Sequence, residues 1–328
     1  MNRDRILAEA ESLLPLARKV LEKYPFQLRQ VDHLATHSNI LYRVITSSGE
    51  QLCLRVGVPH GNTRTNIEIE VAWLDALAQE TDLDVVRPMR TVTGDLIVSV
   101  FDPVLGQERE CVLFSWIPGA PLGTGAGTFG YRLLGRMSAA LQLHGRTWLP
   151  PQVDRMRRWD RVYYYDSELD PEIVTDPRYS HLFPIPRQRT IAAAAEMAQE
   201  VITRSWAAGG VQVVHGDLHE WNVHVMGSRL YAFDFEDVML ALPAQDVAVC
   251  LYSSRTRDNH RQIVDAFRRG YEEFAPWPVE DQSQLDAFHA ARQVMLMNYA
   301  ARTLPTKEAE EYIHRVMPWL ESYVRSHA

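Results

Sequence analysis

The sequence predicts an α+β fold in which a sheet-rich N-terminal part precedes a longer, mainly helical C-terminal part. Short apolar and β-branched segments dominate up to about residue 117, and apolar residues at helical spacing dominate after it. Between the two, residues 118–127 are rich in proline and glycine, which interrupt regular structure. We therefore predict an N-terminal lobe over residues 1–117 and a helical C-terminal lobe over residues 118–328.

The N-terminal lobe should begin with a helix at about residues 3–24, since its apolar residues form one stripe at helical spacing. A second helix is predicted at 66–78. Strands are predicted at residues 31–34, 41–45, 52–56, 85–88, 96–101 and 110–116. The turn signal at Ser47–Glu50 indicates that the second and third of these strands form an antiparallel hairpin.

The C-terminal lobe is predicted to consist mostly of helices with apolar faces. These helices are expected at residues 131–144, 190–206, 246–255, 259–273, 279–304 and 307–323. Gly209 and Gly210 favour the end of the second of them, because glycine is common just past a helix.

Composition and charge restrict the class of function. A net charge of -8 argues against a nucleic-acid surface, which needs a clustered basic face, and leans mildly toward neutral or cationic small molecules. The three cysteines have no CxxC spacing, so we expect reduced, buried thiols and a cytoplasmic protein. We expect no signal peptide and no membrane contact, since no apolar run reaches the roughly 18 to 20 residues that span a bilayer.

Polar residues follow two short apolar segments in the second half of the chain. Val213–Val223 resembles a strand that enters a polar loop, and Leu230–Asp237 resembles a strand that ends on a carboxylate. We expect these segments to form a small hairpin-like unit that brings Asp217, Asn222 and Asp234 close together. Carboxylate and amide oxygens are the hard ligands that Mg²⁺ prefers. An acid five residues before an asparagine has the spacing of the protein-kinase catalytic loop.

The motif H-G-D-x-H-x-x-N, followed by an apolar residue and Asp-Phe-Glu, resembles the aminoglycoside phosphotransferase and choline kinase superfamily, a branch of the protein-kinase-like fold. Further segments between about residues 35 and 255 resemble landmarks of that superfamily in the same order. They are the nucleotide-covering hairpin (Asn39, Tyr42–Val44 and Cys53–Val56), the hinge (Leu113–Gly119), the first C-lobe helix (Leu134–His144) and the segment after the metal site (Pro243–Ala248). The resemblance implies a bilobal fold with a nucleotide-binding N-lobe and a catalytic, acceptor-binding C-lobe.

The resemblance also implies roles for individual residues. Asp217 would be the catalytic base or hydroxyl-orienting group, and Asn222 and Asp234 would bind Mg²⁺. Arg55 would contact the phosphates and be held by Glu70, with Glu68 as the competing choice. The remaining implied positions are Asn39 in the hairpin, Ser115, Trp116 and Ile117 at the adenine hinge, and His215, His219 and Asp246 as structural supports of the loop.

Two departures from the superfamily pattern concern phosphate binding. Position 55 is arginine where protein kinases have lysine, and arginine binds phosphate as a planar fork. The covering hairpin lacks a GxGxxG, since His37-Ser38-Asn39 contains no glycine. Side chains should therefore replace some of the backbone amides that usually cradle phosphate.

The acceptor is not determined by these motifs. Trp159, Asp160 and Tyr164 are candidate acceptor contacts, with Asp166 as an alternative to Asp160, and packing explains the aromatic cluster equally well. Glu220 could face an acceptor amine or solvent. Aminoglycosides, amino alcohols, homoserine, sugars and macrolides all remain open.

The sequence thus predicts an ATP- and Mg²⁺-dependent kinase, with GTP as the alternative nucleotide, that phosphorylates a hydroxyl of a small molecule. Three alternatives stay open. A protein kinase of the bacterial stress-response type would need an activation segment, and only a short loop separates Asp234 from Asp246. A kinase-like scaffold of weak activity would explain the departures at residues 37–39 and 55. A metallophosphoesterase would use the Asp217-Leu218-His219 triplet but leave the first 115 residues unexplained.

Overall fold

The computed structural model describes residues 11–36, 39–58, 61–123, 125–165 and 170–327. The chain divides into two compact units. The first comprises Met1–Ala120, Leu149–Arg155 and His224–Glu236, and the second comprises Pro121–Trp148, Met156–Val223 and Asp237–Ala328. The start of the predicted first helix, His37 and Ser38 of the hairpin, and Asp166 lie outside the described residues.

The first unit is built on a five-stranded antiparallel sheet. Its elements are helix α1 (Leu14–Leu21), strands β1 (Leu28–Thr36), β2 (Asn39–Thr46) and β3 (Gln51–Gly57), helix α2 (Arg64–Glu80), and strands β4 (Val98–Asp102) and β5 (Gln107–Ser115). The strand order is β1-β2-β3-β5-β4. The predicted hairpin is confirmed, with Leu41 opposite Arg55 and Val44 opposite Leu52.

Alternation along β2 explains how the sheet forms its core. Ile40, Tyr42 and Val44 are fully buried, while the residues between them are half-buried, which is the period of two that one covered face of a sheet requires. Ala17 and Val20 of α1 belong to the same apolar cluster. The first unit therefore has its own core, and the strand that carries Arg55 lies near the middle of its sheet.

One predicted strand of this unit was wrong, and the first helix ends earlier than predicted. Residues 85–88 do not form a strand, because Val85 and Pro88 each make a single bridge, to Ala232 and Phe114 respectively. Proline lacks the N–H that a continuous ladder needs. The described part of the first helix ends at Leu21, and Pro25 disfavours helical backbone at residue 24, where the helix was expected to end.

A buried ion pair joins the two ends of the β4–β5 hairpin. Arg109 Nε lies 2.6 Å from Asp102 Oδ2, and the side chains are 4% and 2% exposed. Asp102 also accepts from the backbone N–H of Val104 at 2.9 Å. Arg109 donates to the carbonyl of Gly57 at 2.8 Å. The pair therefore connects β5 to both neighbouring strands.

Replacing Asp102 by alanine is expected to lower the free energy of unfolding by about 3–5 kcal/mol, since it leaves the Arg109 charge buried without its carboxylate. Urea denaturation of the purified protein measures this change. Asp75→Ala is the matched control, because Asp75 pairs with Arg90 at an exposed position and exposed pairs contribute about 0–1 kcal/mol. Equal losses for the two variants would contradict the assignment.

The second unit is mainly helical. Its helices are α3 (Thr128–Thr147), α4 (Ile185–Ala207), α5 (Pro243–Leu251), α6 (His260–Tyr271), α7 (Gln282–Thr303) and α8 (Thr306–His327). Helices α3 and α6 approach each other closely through two glycines. A Cβ atom at Gly135 would lie 2.1 Å from the carbonyl of Phe267, and one at Gly270 would lie 1.9 Å from that of Arg132. These positions require glycine because the facing backbones occupy the space of a side chain.

Short strands surround the motif at residues 213–237. They are β6 (Ala120–Pro121), β7 (Gln212–Val214), β8 (Val223–Met226), β9 (Arg229–Ala232) and β10 (Met239–Ala241). The predicted hairpin-like pairing of the two motif segments was wrong, because β7 pairs with β10 and β8 pairs with β9. A short turn joins β8 to β9, whereas the partner of β7 comes from beyond the second motif segment. Among the described residues, no helix has the length and apolar character needed to cross a membrane.

Candidate functional site

The loop after β7 carries Asp217 in the second unit, and its path depends on Gly216. This glycine has a φ of +81°, which glycine adopts without strain, and a Cβ there would lie 2.2 Å from the carbonyl of Asp237. After it the backbone turns tightly, with the N–H of His219 donating to the carbonyl of Asp217 at 2.8 Å. The N–H of Asn222 donates in turn to the carbonyl of His219 at 2.9 Å. The turns bring Asn222 back to Asp217.

The carboxylate of Asp217 is held by three side chains of the second unit. Asn222 Nδ2 donates to Asp217 Oδ2 at 3.0 Å and to the Asp217 carbonyl at 2.9 Å. His219 Nε2 lies 3.4 Å from Oδ2. Arg292, on α7, donates from its terminal nitrogen to Oδ1. Asp217 keeps 20% of its side chain exposed, so it remains within reach of a ligand.

Charge around Asp217 decides its protonation state. Burial by itself raises the pKa of this carboxyl, but the positive charges and hydrogen bonds of Arg292 and His219 hold it well below its usual value. Asp217 is therefore a carboxylate at neutral pH and can accept a hydrogen bond.

Asp246, on α5, hydrogen-bonds to the backbone of the loop that carries Asp217. Its Oδ1 accepts from the N–H of Gly216 at 2.9 Å, and its Oδ2 accepts from Gln142 Nε2 at 3.0 Å. The side chain is fully buried, and burial raises its pKa to about 6 against the effect of these hydrogen bonds. His215 is fully buried, and its Nδ1 accepts from the N–H of Asp217 at 3.3 Å.

A second carboxylate of this unit, Asp237, interacts electrostatically with Asp217. Arg157 donates to its Oδ1 at 3.0 Å and the hydroxyl of Tyr165 to its Oδ2 at 2.9 Å. Burial raises the pKa of Asp237, and the neighbouring charge of Asp217 adds to that effect while Arg157 opposes it. Sequence reasoning gave no role to Asp237, Arg157 or Arg292, and it placed Tyr165 in an aromatic cluster that could line an acceptor pocket or serve packing. For Asp237 the signal was available, because it directly follows the Asp-Phe-Glu motif.

Arg55 is the centre of a charged cluster in the first unit. Its guanidinium forms a fork with Glu70, with NH1 to Oε1 at 2.8 Å and NH2 to Oε2 at 2.5 Å. NH1 also donates to Glu236 Oε1 at 3.1 Å. Although burial lowers the pKa of Arg55, the charges of Glu70 and Glu236 raise it above its ordinary value. The arginine is thus a fixed cation between two carboxylates.

The choice between Glu68 and Glu70 is decided by geometry. Glu70 is 2% exposed and contacts Arg55, whereas Glu68 lies at the surface and pairs with Arg64 at 2.8 Å. The sequence already favoured Glu70, because position 70 lies three residues after Ile67 and four before Leu74, on the same buried face of the helix.

Glu236 also accepts hydrogen bonds from two asparagine side chains of the first unit. Sequence reasoning did not identify it as a site residue. Asn39 Nδ2 donates to its Oε1 at 2.5 Å and Asn62 Nδ2 to its Oε2 at 3.0 Å. Two residues earlier, Asp234 has a φ of +64°, a left-handed conformation that few residues other than glycine adopt. Its negative charge acts on Arg55 as well.

The segment that carries Asp234 is anchored by an aromatic contact. Phe235 is fully buried, and its ring lies 5.5 Å from that of Trp73 on α2. The left-handed backbone at Asp234 is therefore held by packing directly beside it.

The predicted hinge residues lie at the end of β5. Ser115 donates its N–H to the carbonyl of Arg87 at 2.8 Å, and its Oγ accepts from the N–H of Arg87 at 2.9 Å. The ring of Trp116 faces the guanidinium of Arg43, whose carbon lies 5.6 Å from the ring centroid. Ile117 is half-buried.

Burial argues against three of the candidate acceptor contacts. Trp159 is fully buried and Tyr164 is 6% exposed, and their ring centroids lie 5.0 Å apart. Glu220 is also fully buried, and both its carboxylate oxygens accept from Ser253 Oγ, at 2.5 and 2.6 Å. Asp160 is half-buried and pairs with Arg161 at 2.9 Å. Trp159 Nε1 and the Tyr164 hydroxyl are buried without a hydrogen-bond partner among the described residues.

Residues 33–288 match the model of the phosphotransferase enzyme family known as APH. The chain is 26% identical over 246 residues to the uncharacterized protein sll1119 of Synechocystis sp., a match that covers 74% of this chain and 65% of that relative's length.

Solved structures of small-molecule kinases share the fold. A microcompartment-associated aminopropanol kinase superposes with a TM-score of 0.78 at 20% identity, over 95% of this chain and 98% of that chain. Amicoumacin kinase, in complex with AMP-PNP, Ca²⁺ and its antibiotic, gives 0.77 at 15% identity over 99% and 97%. Spectinomycin phosphotransferase with ADP and spectinomycin gives 0.69 at 14% identity over 95% and 97%.

Three observations indicate the same family. They are the α+β, kinase-like architecture, the loop that carries Asp217, and the family match over residues 33–288. The protein belongs to the APH phosphotransferase enzyme family.

Proposed function

We propose that this phosphotransferase transfers the γ-phosphoryl group of ATP to a hydroxyl of an amine-bearing small molecule. The observation that carries the proposal is the Asp217–Asn222 pair, an ionised carboxylate hydrogen-bonded at 3.0 Å to an amide five residues later. Phosphoryl transfer needs little covalent help, so one oriented base, cations on the phosphates and a metal site suffice.

Asp217 would act on the acceptor. Its carboxylate accepts the hydrogen bond of the attacking hydroxyl and orients that oxygen toward the γ-phosphorus. As the new oxygen–phosphorus bond forms, the bond from phosphorus to the leaving oxygen of ADP breaks. The hydroxyl proton passes to Asp217 and then to water, so that the products are ADP, the phosphate ester and a proton.

Asn222 and Asp234 would hold the divalent metal. The amide nitrogen of Asn222 already donates to Asp217, which leaves its Oδ1, a hard oxygen, for a cation. Among the described residues, no group of three or more acidic, histidine or cysteine side chains forms a metal cage. One carboxylate and one amide fit Mg²⁺, which takes its other ligands from water and phosphates. When bound, the ion supplies charge neutralisation at the phosphates.

Arg55 would contact those phosphates. Its fork with Glu70 fixes the guanidinium in one orientation, as a preorganised cation requires. In the glycine-free hairpin, the side-chain amide of Asn39, which donates to Glu236 at 2.5 Å, would supply its second N–H to phosphate in place of a backbone amide.

The amine in the proposed acceptor is supported by relatives and by charge. One solved neighbour acts on aminopropanol and another binds spectinomycin. The net charge of -8 favours the approach of cations in solution. We therefore place amino alcohols and aminoglycosides before neutral sugars.

Release of ADP from MgATP, measured with a panel of amino alcohols, aminoglycosides, homoserine and sugars, tests the proposal. We expect at least one amine-bearing alcohol to raise turnover at least about tenfold above the acceptor-free rate, with ATP preferred over GTP. Transfer of radiolabelled phosphate only to a protein substrate such as casein would identify a protein kinase. Tight binding of MgATP without transfer to any acceptor would identify a scaffold.

A further inference from the structure

We propose that Arg292 is a positioning residue for phosphoryl transfer, one that fixes the carboxylate of Asp217 in the orientation that receives the acceptor hydroxyl. The proposal rests on the function proposed above. It concerns a side chain of helix α7 that lies far from the catalytic loop in sequence, 75 residues after Asp217.

Within the described residues, Arg292 donates its side-chain hydrogen bond to Asp217 and to no other residue. Arg292 is 5% exposed, and its only hydrogen bond within the described part of the chain is the one to Asp217 Oδ1. Its Nε is buried without a partner there. By contrast, Arg109 divides its donors between Asp102 and the carbonyl of Gly57, as expected of an arginine that joins parts of a fold. Burial of a cation costs free energy that its interactions must offset. For Arg292 in the described structure, the hydrogen bond to Asp217 is the interaction that does so.

The occupancy of the carboxylate leaves room for one more donor. An ionised aspartate offers about four acceptor positions on its two oxygens. Arg292 takes one on Oδ1, while Asn222 at 3.0 Å and His219 at 3.4 Å approach Oδ2. The position that remains is on Oδ1, so Arg292 determines where that oxygen points.

The support is rigid because it comes from the interior of a helix. Helix α7 spans Gln282–Thr303. Asp281 caps its N-terminus, with a side chain that accepts from the N–H of Gln284. The residue after Arg292, Gln293, donates to the carbonyl of Val316 on α8 at 2.8 Å. A loop carboxylate held from a packed helix keeps its orientation better than one held by its own loop.

The decisive variant is R292Q in the full-length protein. With an acceptor from the panel, or with water as acceptor if none is found, kcat should fall about 10²-fold. The KM values for MgATP and for the acceptor should stay within about threefold of wild type, because the variant disturbs the orientation of Asp217 and not ligand binding. A crystal structure of R292Q should show the Asp217 carboxylate turned from its wild-type orientation, because glutamine is shorter than arginine and carries no charge.

R302Q is the matched control, since Arg302 lies on the same helix and pairs with Asp170. It should leave kcat within about twofold of wild type and the Asp217 carboxylate in its wild-type orientation. If R292Q does not fold, R292K carries the test. Lysine keeps the charge but lacks the planar fork, so kcat should fall about tenfold while the KM values stay unchanged.

An unmoved Asp217 carboxylate or an unchanged kcat in R292Q, or a wild-type kcat in R292K, would overturn the role of Arg292. Failure of the wild-type protein to transfer phosphate to any acceptor would instead overturn the proposed function, and the crystal structure of R292Q would still show whether Arg292 orients the carboxylate.

Discussion

Replacing Asp217 by asparagine should lower kcat about 10³-fold or more, because the variant keeps the shape of the side chain but loses the base. Positioned acid–base groups contribute about 10²–10⁴-fold, and the Asp217 carboxylate is the ionised group whose surroundings hold it ready to accept a proton. The affinity for MgADP should change by less than about threefold, since the proposed phosphate contacts lie elsewhere. ADP release gives kcat, and isothermal titration calorimetry gives the affinity.

Asp265→Asn is the control for this substitution. Asp265 is exposed on α6 and has no place in the proposed site. It removes the same charge from the second unit, so it separates loss of a base from loss of net charge. A D217N protein that transfers phosphate at the wild-type rate would refute the assignment of the base.

Replacing Asp234 by asparagine should raise the Mg²⁺ concentration needed for half-maximal turnover about 10²-fold, because a charged metal ligand becomes a neutral one. Asparagine is the informative choice here. Position 234 has a φ of +64°, and asparagine tolerates the left-handed region better than alanine. Any loss then reports the charge and not the backbone. Turnover measured against Mg²⁺ at fixed ATP checks the prediction.

Asp95→Asn serves as the matched control, since Asp95 is exposed in a turn of the first unit and its carboxylate accepts a local hydrogen bond from Thr93 Oγ1 at 2.6 Å. Excess Mg²⁺ should restore most of the activity of D234N but none of that of D217N. If D234N needs no more Mg²⁺ than wild type, the metal does not bind at this carboxylate. The two substitutions thus separate the proposed base from the proposed metal ligand.

The errors in the N-terminal unit show where local pattern misleads. Residues 85–88 have the composition of a strand, but Pro88 removes a donor and the segment makes only isolated bridges. The two apolar segments of the motif were expected to pair with each other, yet β7 pairs with β10, which follows both segments, and β8 pairs with β9. Pairing partners depend on which backbone groups meet in space, and apolar character alone does not specify them.

The sequence by itself determined the order of strands and helices, the hairpin that carries Arg55, and the family. It also determined the Asp217–Asn222 contact, because residues five apart in a tight loop meet through local turns. The helical spacing of the apolar residues in α2 also places Glu70 on the buried face, which favours Glu70 over Glu68 as the partner of Arg55. Only the tertiary structure decided that Glu236 joins Arg55 and that Arg292 holds Asp217. These pairs lie 181 and 75 residues apart, and such contacts form only when packing brings separate elements together.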